Sequence, residues 1–272
     1  MIQNRLRGIT TISETDESID LEIASGENWH DLVCYCLQRN FHGLENLALI
    51  PGTVGAAPVQ NIGAYGVEIK DRLLSVSLFD CQTGKQQTLK NHECQFSYRD
   101  SIFKRKHHQH WLITAVTLRL DKIFQPQLSY PSLVDYIERN HLSITADNVA
   151  QAVIAIRQAK LPDPKKIANA GSFFKNPIIS SDDYRQLQKK YPDIPVFPHG
   201  SNQYKVPAAW LIEQCDWKGK RLGNVSMHEK QAVVLTNHGG ASGIDLLKHT
   251  QAVASSVKQR FHITLTPEVN IH

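Results

Sequence analysis

The segment Ile50–Gly66 constrains the fold more than any other part of the sequence. It holds four glycines and two prolines among small residues. It contains no acidic side chain, and the first one after it is Glu68. Glycine allows backbone conformations that other residues avoid, and it lets a ligand approach the main chain. Backbone N–H groups released in this way can bind the oxygen atoms of an anion. The composition predicts a loop that lies along a large ligand, with a dinucleotide as the candidate.

The alternative for Ile50–Gly66 is a set of turns that joins ordinary strands, because Gly and Pro mark turns. A surface turn usually also carries Asp, Ser or Lys, whereas this segment alternates Val, Ile and Ala with Gly. The segment also lacks the closely spaced glycines, followed by an acidic residue about twenty positions on, of the Rossmann fingerprint. A ligand-binding loop outside the Rossmann class is therefore the favoured interpretation.

Charge and size narrow the class of protein. The 272 residues fit one large domain or two ordinary ones, and a net charge of +4 is too small to indicate nucleic-acid binding. The basic run Lys104–His108 is consistent with a polyanion-binding patch. The flanking segments have the composition of strands, which favours the solvated tip of a loop.

Cysteine usage and the absence of long apolar runs indicate the compartment. The five cysteines are odd in number, and none forms a C-x-x-C pair or neighbours a histidine at metal-ligand spacing. No bound metal is expected, and free thiols indicate a reducing compartment. The N-terminus has no signal-peptide core, and no run has the length of a membrane span. We expect a cytoplasmic protein.

Hydrophobic periodicity predicts an α+β fold of two domains, divided by the prolines of Leu161–Pro164. The predicted strands are Leu21–Ser25, Leu73–Asp80, Trp111–Leu120, Gln231–Thr236 and a terminal strand that starts at Leu265. The predicted helices are Glu27–Arg39, Thr145–Lys160, Ser181–Lys190, Pro207–Cys215 and Gly243–Gln259.

Tyr98 and Arg99 are adjacent polar side chains among apolar neighbours. The Arg99 guanidinium either pairs with a local carboxylate such as Asp100 or faces a cavity, where its planar fork suits a carboxylate or phosphate. The sequence alone slightly favours the structural pair.

Ser172 and Glu268 are candidates of a different kind. Ser172 follows a glycine and precedes two phenylalanines, so it either belongs to a common turn or projects from a rigid base. Its surroundings lack the G-x-S-x-G motif and a histidine that would activate a nucleophile, so proton donation suits it better than attack. Glu268 lies between apolar residues near the C-terminus, where an edge charge is the more ordinary interpretation.

Taken together, these segments resemble the UDP-N-acetylenolpyruvoylglucosamine reductases, flavoenzymes of bacterial cell-wall synthesis. The resemblance covers essentially the whole chain, in the motif order of the family. Its motifs are Gly26–His30, Gly43–Leu47, Ile50–Gly66, Tyr98–Phe103, Leu128–Pro131, Lys160–Pro164, Gly171–Pro177 and Pro267–Val269.

The resemblance implies an NADPH-dependent, FAD-mediated reduction of an enolpyruvyl double bond that yields UDP-N-acetylmuramate. Hydride would reach the terminal carbon of the double bond, and negative charge would develop beside the carboxylate. By the same resemblance Arg99 and Glu268 stabilise that charge, and Ser172 donates a proton to the charged carbon. The cofactor supplies the difficult step, and the protein supplies placement.

Further site residues follow from the same resemblance. The implied substrate contacts are Tyr98, Tyr130, Lys160, Asn176 and Gln231, with Lys160 at the diphosphate. The implied flavin contacts are Gly52, Thr53, Gly55, Ala56, Ala57, Pro58, Gln60, Asn61, Gly63, Ala64, Tyr65 and Gly66. Ala56 and Ala57 stand where family members often have Ser or Gly, so a hydroxyl contact would be lost there.

The resemblance also predicts the domain organisation. Residues 1–160 would form an α+β FAD-binding domain of the PCMH/VAO-like type, residues 161–262 an α+β substrate-binding domain, and residues 263–272 a terminal strand returning to the first. The family's N-terminal subdomain, with a second Gly-rich turn for the FAD pyrophosphate, has no counterpart in the sequence. We therefore expect these residues alone to bind FAD weakly or not at all.

Two other functions are compatible with parts of this pattern. One is a different FAD oxidoreductase of the same fold, although no histidine or cysteine for covalent flavin attachment lies in Ile50–Gly66. The other is an inactive remnant that binds a nucleotide sugar. For the reductase we expect a monomer that binds neither nucleic acid nor a membrane.

Overall fold

The chain forms two compact units, seen in a computed structural model that describes residues 3–271. The units are Met1–Arg157 and Gln158–His272, and the boundary falls inside the last turn of the helix Ala146–Lys160. Each unit has a hydrophobic core of its own. The chain is therefore organised as two independently packed bodies in sequence order.

An antiparallel sheet forms the frame of the first unit. Its strands and a separate two-residue pair are β1 (Ile9–Glu14), β2 (Ser18–Ala24), β3 (Gly63–Ala64), β4 (Val67–Glu68), β5 (Leu73–Asp80), β6 (Lys85–Lys90) and β7 (Trp111–Asp121). The five-stranded sheet has the order β1-β2-β7-β5-β6, and β3 pairs with β4. The long strand β7 lies at its centre, with Leu118 opposite both Leu21 and Leu73.

Three helices complete the first unit: α1 (Trp29–Leu37), α2 (Pro131–Arg139) and α3 (Ala146–Lys160). Helix α1 begins at Asn28, whose side chain accepts the N–H groups of His30 and Asp31. Trp29 is fully buried in the core, and its indole N–H donates to the carbonyl oxygen of Leu47. This bond ties α1 to the segment that leads into Ile50–Gly66.

The second unit contains two smaller antiparallel sheets and three helices. Its strands are β8 (Ala168–Ser172), β9 (Ile178–Ser180), β10 (Phe197–His199), β11 (Gln203–Lys205), β12 (Arg221–Leu222), β13 (Val225–Met227) and β14 (Val234–Asn237). The sheets have the orders β12-β13-β14-β8 and β10-β11-β9. The helices are α4 (Ser181–Lys190), α5 (Ala208–Gln214) and α6 (Gly243–Phe261).

Buried aromatic and aliphatic side chains hold the second unit together. Phe173 and Phe174 share its core with Val253 and Phe261 of α6. Helix α6 begins with a capping box, in which Ser242 and Asp245 exchange side-chain and backbone hydrogen bonds. The long amphipathic helix thus has a defined start and packs its apolar face inward.

The mixed sheets and helices confirm the predicted α+β class, and most predicted elements are present. The strand Leu73–Asp80 and the helix Ser181–Lys190 have the predicted bounds, and others differ by a few residues at their ends. The predicted strand Gln231–Thr236 begins later, at Val234, because Gln231 starts a turn in which its carbonyl oxygen accepts the Val234 N–H.

The predicted terminal strand at Leu265–Val269 was wrong. Within residues 3–271 the segment forms only an isolated bridge between Phe174 and Pro267. Proline has no N–H and cannot extend a ladder on that side. The segment instead lies beside Phe173–Lys175 of the same unit, through the Glu268 N–H to the Phe173 carbonyl and the Lys175 N–H to the Thr266 carbonyl.

Strands β1 and β6 and helix α2 were not predicted. Strand β6, Lys-Gln-Gln-Thr-Leu-Lys, is polar and mostly exposed, and among residues 3–271 it pairs with β5 alone. Such an edge strand is specified by backbone pairing rather than by apolar alternation. Among residues 3–271, no helix combines the length and apolar character that crossing a bilayer requires.

Candidate active site

Tyr98 and Arg99 occupy the tip of a two-residue turn in the first unit. Ser97 and Asp100 exchange backbone hydrogen bonds of 3.1 and 3.2 Å across the turn. Arg99 has φ +53°, a left-handed conformation that is uncommon for a non-glycine residue. Residues held in such conformations often belong to functional sites.

The Arg99 guanidinium is fixed against the Ile50–Gly66 loop. It donates to the carbonyl oxygen of Gly63 at 2.5 Å and to that of Asn61 at 3.4 Å. Asp100 pairs with Arg105, with the nitrogen and oxygen 2.9 Å apart. The guanidinium is thus held on the loop backbone, and the expected Arg99–Asp100 pair stays a prediction.

The side chain of Asn61, a loop residue, also joins the loop to the Tyr98–Arg99 turn. It is fully buried and donates to the Glu68 carboxylate at 2.8 Å and to the Ser97 carbonyl at 3.0 Å. Ser101, the residue after Asp100, donates its hydroxyl to the Val59 carbonyl. The loop and the Tyr98–Arg99 turn therefore form one hydrogen-bonded body.

The backbone of the loop is less available to a ligand than its composition suggested. The four N–H groups of Val54–Ala57 all donate to protein carbonyl oxygens at 2.9–3.2 Å, among them those of Ser25 and Glu27. The expectation that freed N–H groups of the loop bind oxygen atoms of a ligand is wrong for these four. Any contact of Gly55, Ala56 or Ala57 with a cofactor would use Cα, Cβ or carbonyl atoms.

Gly55 and Gly52 have different reasons to be glycine. A Cβ on Gly55 would lie 2.5 Å from the Cβ of Ser25, so close packing excludes a side chain there. Gly52 has φ +118° and open space around the position of a Cβ. Of the two, Gly52 is the one beside which a ligand has room.

A cavity of about 290 Å³ lies beside the loop in the first unit. Thr53, Gly55, Ala56 and Val59 line it from the loop, together with the ring of Trp111. His108, at the end of the predicted basic loop, also lines it and stacks on Trp111 with ring centroids 3.6 Å apart. Ligand pockets commonly have volumes of roughly 300–1,000 Å³, so this cavity fits part of a dinucleotide. The loop residues and the flat rings suit the FAD predicted from the sequence.

Tyr65 and Tyr130 extend the first unit's candidate site. Their rings make an edge-on contact with centroids 5.2 Å apart, and Tyr130 is 41% exposed. Asn46 donates one amide group to the carbonyl oxygens of both Tyr65 and Gln127, at 2.8 and 2.9 Å. Burial raises the pKa of the Tyr65 phenol to about 12. Tyr65 is therefore a neutral hydroxyl group at any ordinary pH.

Arg157 was not among the predicted site residues. Its charge acts on Tyr65, and its own pKa is lowered first by burial and then by the positive charge of Arg99. A sequence signal was present, because Arg157 follows Val153 by four residues and so extends the buried face of α3. A charged residue at an apolar position of a helix is the pattern to look for.

Ser172 and Glu268 lie close together in the second unit. Ser172 pairs with Val234 at the end of β8, and the next residue, Phe173, accepts the Glu268 N–H at 2.7 Å. The Phe173 N–H in turn donates to the Val233 carbonyl at 2.8 Å. Both candidate side chains are half-buried and attached to a regular hydrogen-bonded framework.

The other predicted substrate contacts of the second unit lie before and between these segments in the sequence. Gln231 begins the turn before β14. The Oδ1 atom of Asn176 accepts the Ala208 N–H at 2.9 Å, at the start of α5. The Nδ2 group of Asn176 therefore remains as its donor. Lys160 is exposed at the end of α3. Tyr98, Arg99, Tyr130 and the loop belong to the first unit, and Ser172, Asn176, Gln231 and Glu268 to the second.

Comparisons with known proteins agree with this division. A family model described as an FAD binding domain matches residues 1–90. A second, described as the C-terminal domain of UDP-N-acetylenolpyruvoylglucosamine reductase, matches residues 163–272. The fold and the loop-side cavity thus define an FAD-binding α+β oxidoreductase.

Relatives of known name give the particular family. A UDP-N-acetylenolpyruvoylglucosamine reductase of Bacteroides fragilis is 45% identical over 270 residues, which are 99% of this chain and 81% of the relative. One of Bdellovibrio bacteriovorus is 49% identical over 261 residues, 96% of this chain and 77% of the relative. The chain belongs to the UDP-N-acetylenolpyruvoylglucosamine reductase family, as its motifs predicted.

A solved structure supports the fold. The UDP-N-acetylenolpyruvylglucosamine reductase (MurB) of Thermus caldophilus superposes with a TM-score of 0.63 and covers 92% of this chain, while 71% of that chain is matched. At 23% sequence identity the likeness concerns the fold alone. It agrees with the α+β FAD-binding architecture.

Proposed function

We propose that the chain reduces the enolpyruvyl double bond of UDP-N-acetylenolpyruvoylglucosamine, with NADPH as reductant and FAD as cofactor, in peptidoglycan synthesis. The observation that carries the proposal is the Tyr98–Arg99 turn bonded to the loop backbone, in a chain whose named relatives are reductases. A guanidinium held beside the cofactor segment can meet the substrate carboxylate next to the reacting carbons.

The FAD group would be held along Gly52–Gly66 and beside Trp111, and when bound it supplies the hydride. Thr53, Ala56 and Val59 line the cavity there. The N–H groups of Val54–Ala57 are engaged by the protein, so these residues would shape the wall rather than bind phosphate. The chain's own residues otherwise place the substrate and manage charge and protons.

Arg99 and Glu268 would act on the substrate carboxylate. As hydride reaches the terminal carbon, negative charge moves to the carbon beside the carboxylate and into its oxygens. Arg99 stabilises that charge as a fixed cation, and Glu268 does so when protonated, by donating a hydrogen bond. The left-handed turn orients Arg99 before substrate binds, so little reorganisation is needed.

Ser172 would complete the reaction by giving its hydroxyl proton to the charged carbon. A serine hydroxyl is a weak acid, but an enolate-like carbon is a strong enough base to take its proton. The pairing of Ser172 with Val234 holds the donor on a strand end rather than on a mobile loop.

The remaining predicted residues would bind the substrate's nucleotide-sugar part. Tyr98 and Tyr130 offer aromatic faces and hydroxyl groups, and Lys160 offers an exposed ammonium group to the diphosphate. Asn176 would donate from Nδ2 because Oδ1 is occupied by Ala208. Gln231 adds a second amide. We also propose a cytoplasmic monomer, in line with the free cysteines.

Ser172→Ala in the FAD-loaded protein tests the proposed chemistry. Flavin reduction by NADPH should persist, while reduction of the enolpyruvyl substrate falls by about 10²- to 10⁴-fold, a usual effect of a general acid. Ser255→Ala, on the exposed face of α6, is the matched control. Unchanged turnover in Ser172→Ala would remove the proton-donor role.

A binding experiment separates the reductase from a nucleotide-sugar binder. Thermal stabilisation by UDP-N-acetylglucosamine derivatives without NADPH oxidation would favour the binder.

A further inference from the structure

Arg157 places a guanidinium on the inward face of α3. Ala150 and Val153, seven and four residues earlier, are buried on that face. Residues at these spacings lie above one another along a helix. Arg157 is itself half-buried, so its charged end follows an apolar stripe rather than the solvated side of the helix.

One nitrogen of the Arg157 guanidinium has no hydrogen-bonding partner in the described part of the chain. Its Nε atom is buried and has no hydrogen-bond acceptor within residues 3–271. Removing a charge from water is costly unless an opposite charge or hydrogen bonds compensate. The buried Nε atom therefore lacks this compensation among the described residues.

A second positive group, Arg99, increases the cost of burying the Arg157 charge. Arg99 is close enough that its charge lowers the pKa of Arg157, after burial, while Tyr65 acts in the opposite direction. An arginine remains charged in proteins even so. Two guanidinium groups of like charge, one of them fixed on loop carbonyls, are a favourable place for an anion.

A structural role is the alternative explanation. The Arg157 stem would pack along the α3 face, and its head would rest near Tyr65, with no ligand involved. That role predicts that changing Arg157 alters stability and leaves anion binding as it was.

We propose that Arg157 is a second guanidinium that binds the carboxylate of the enolpyruvyl substrate beside Arg99. The inference rests on the proposed function and deepens its site. The carboxylate is favoured over the diphosphate because the neighbouring charge is Arg99, whose proposed partner is the carboxylate. Lys160, the residue proposed for the diphosphate, lies one helical turn further along α3.

Calorimetric binding with two ligands distinguishes these possibilities. The first ligand is the enolpyruvyl substrate, and the second is UDP-N-acetylglucosamine, which has the diphosphate but lacks the carboxylate. Arg157→Met, which keeps an unbranched stem, should bind the first about 10- to 100-fold more weakly and the second unchanged, as expected for losing a charged hydrogen bond. Arg157→Lys should recover part of the loss. Arg139→Met, exposed on α2, is the control.

Each outcome decides the inference. Equal weakening for both ligands would place Arg157 at the diphosphate, and unchanged binding of both would leave the structural role; either overturns the proposal. If the unaltered protein itself does not prefer the enolpyruvyl ligand, the proposed function fails too, so the two failures are distinguishable. A thermal midpoint for each variant shows folding, and Arg157→Lys provides the comparison should Arg157→Met be unstable.

In turnover, the same proposal predicts a rise in KM that exceeds the fall in kcat, because the carboxylate is charged before and during reduction. A fall in kcat alone would contradict a ground-state carboxylate contact.

Discussion

The two candidate regions are built in different ways. In the first unit, Arg99 belongs to a turn and has a left-handed backbone conformation. Side-chain hydrogen bonds, chiefly from Asn61 and Ser101, attach this turn to an irregular loop. In the second, Ser172 and Glu268 are attached to backbone pairs beside β14. Individual side chains specify the first geometry, and a repeating ladder specifies the second. Single substitutions should therefore disturb the first region more.

The largest effect is expected for Asn61→Ala in the first region. The change removes hydrogen bonds to Glu68, to the Ser97 carbonyl and from the Lys70 N–H, inside a fully buried site. It also puts alanine at φ +47°, a left-handed conformation. Unsatisfied buried groups cost about 1–3 kcal/mol each, so the free energy of unfolding should fall by about 3 kcal/mol.

Urea denaturation measures this change, with Asn140→Ala as the control. Asn140 is exposed at the end of α2, and its side chain donates to the nearby Tyr136 carbonyl. A loss for Asn61→Ala no larger than for Asn140→Ala would show that the loop and the turn are not held together by this side chain.

Gly55→Ala tests whether the glycine-rich loop is built for packing or for a ligand. The new Cβ would lie 2.5 Å from the Ser25 Cβ, so the backbone must shift. Overpacking of this kind costs about 1–3 kcal/mol, and the loss should appear without FAD. Gly243→Ala, with open space around it at the start of α6, should change stability by less than about 1 kcal/mol.

The unfolding midpoint in the absence of flavin gives the answer. If Gly55→Ala were stable and lost only flavin affinity, the ligand rather than Ser25 would explain the glycine.

The sequence predicted the regular parts of both regions and missed their irregular parts, for physical reasons. Strand β5 alternates apolar and polar residues, so burial alone indicates it, whereas polar β6 depends on a neighbour that is distant in sequence. The family motifs indicated Arg99, Ser172 and Glu268. Neither pattern nor motif showed that the N–H groups of Val54–Ala57 are already bonded, or that the Arg157 Nε atom has no hydrogen-bonding partner within residues 3–271. Both are properties of contacts across the fold.

Asn176 gives a sharper comparison within the second region. Asn176→Asp keeps an oxygen acceptor for the Ala208 N–H, so stability should be nearly unchanged while the proposed donor to the substrate is lost. Asn176→Ala should lose both, with about 1 kcal/mol lower stability, the usual value of such a bond. Thermal midpoints and substrate titrations on the two variants separate the effects. Equal substrate binding by Asn176→Asp and the unaltered protein would refute the donor role.

The smallest effect concerns the ionisation of Tyr65. Burial raises its pKa to about 12, from 10.0 for an ordinary tyrosine. A group whose pKa is raised on folding contributes stability that is complete below its unfolded pKa and is lost as pH rises through the folded value. Tyr65 therefore makes the protein less stable as pH increases from about 10 towards 12, by about 1 kcal/mol at pH ~11. Tyr65→Phe should flatten this alkaline loss, measured as the free energy of unfolding between pH ~9 and ~11. An equal alkaline slope in Tyr65→Phe and the unaltered protein would mean that the phenol is solvated, and the loop beside it more open than its hydrogen bonds indicate.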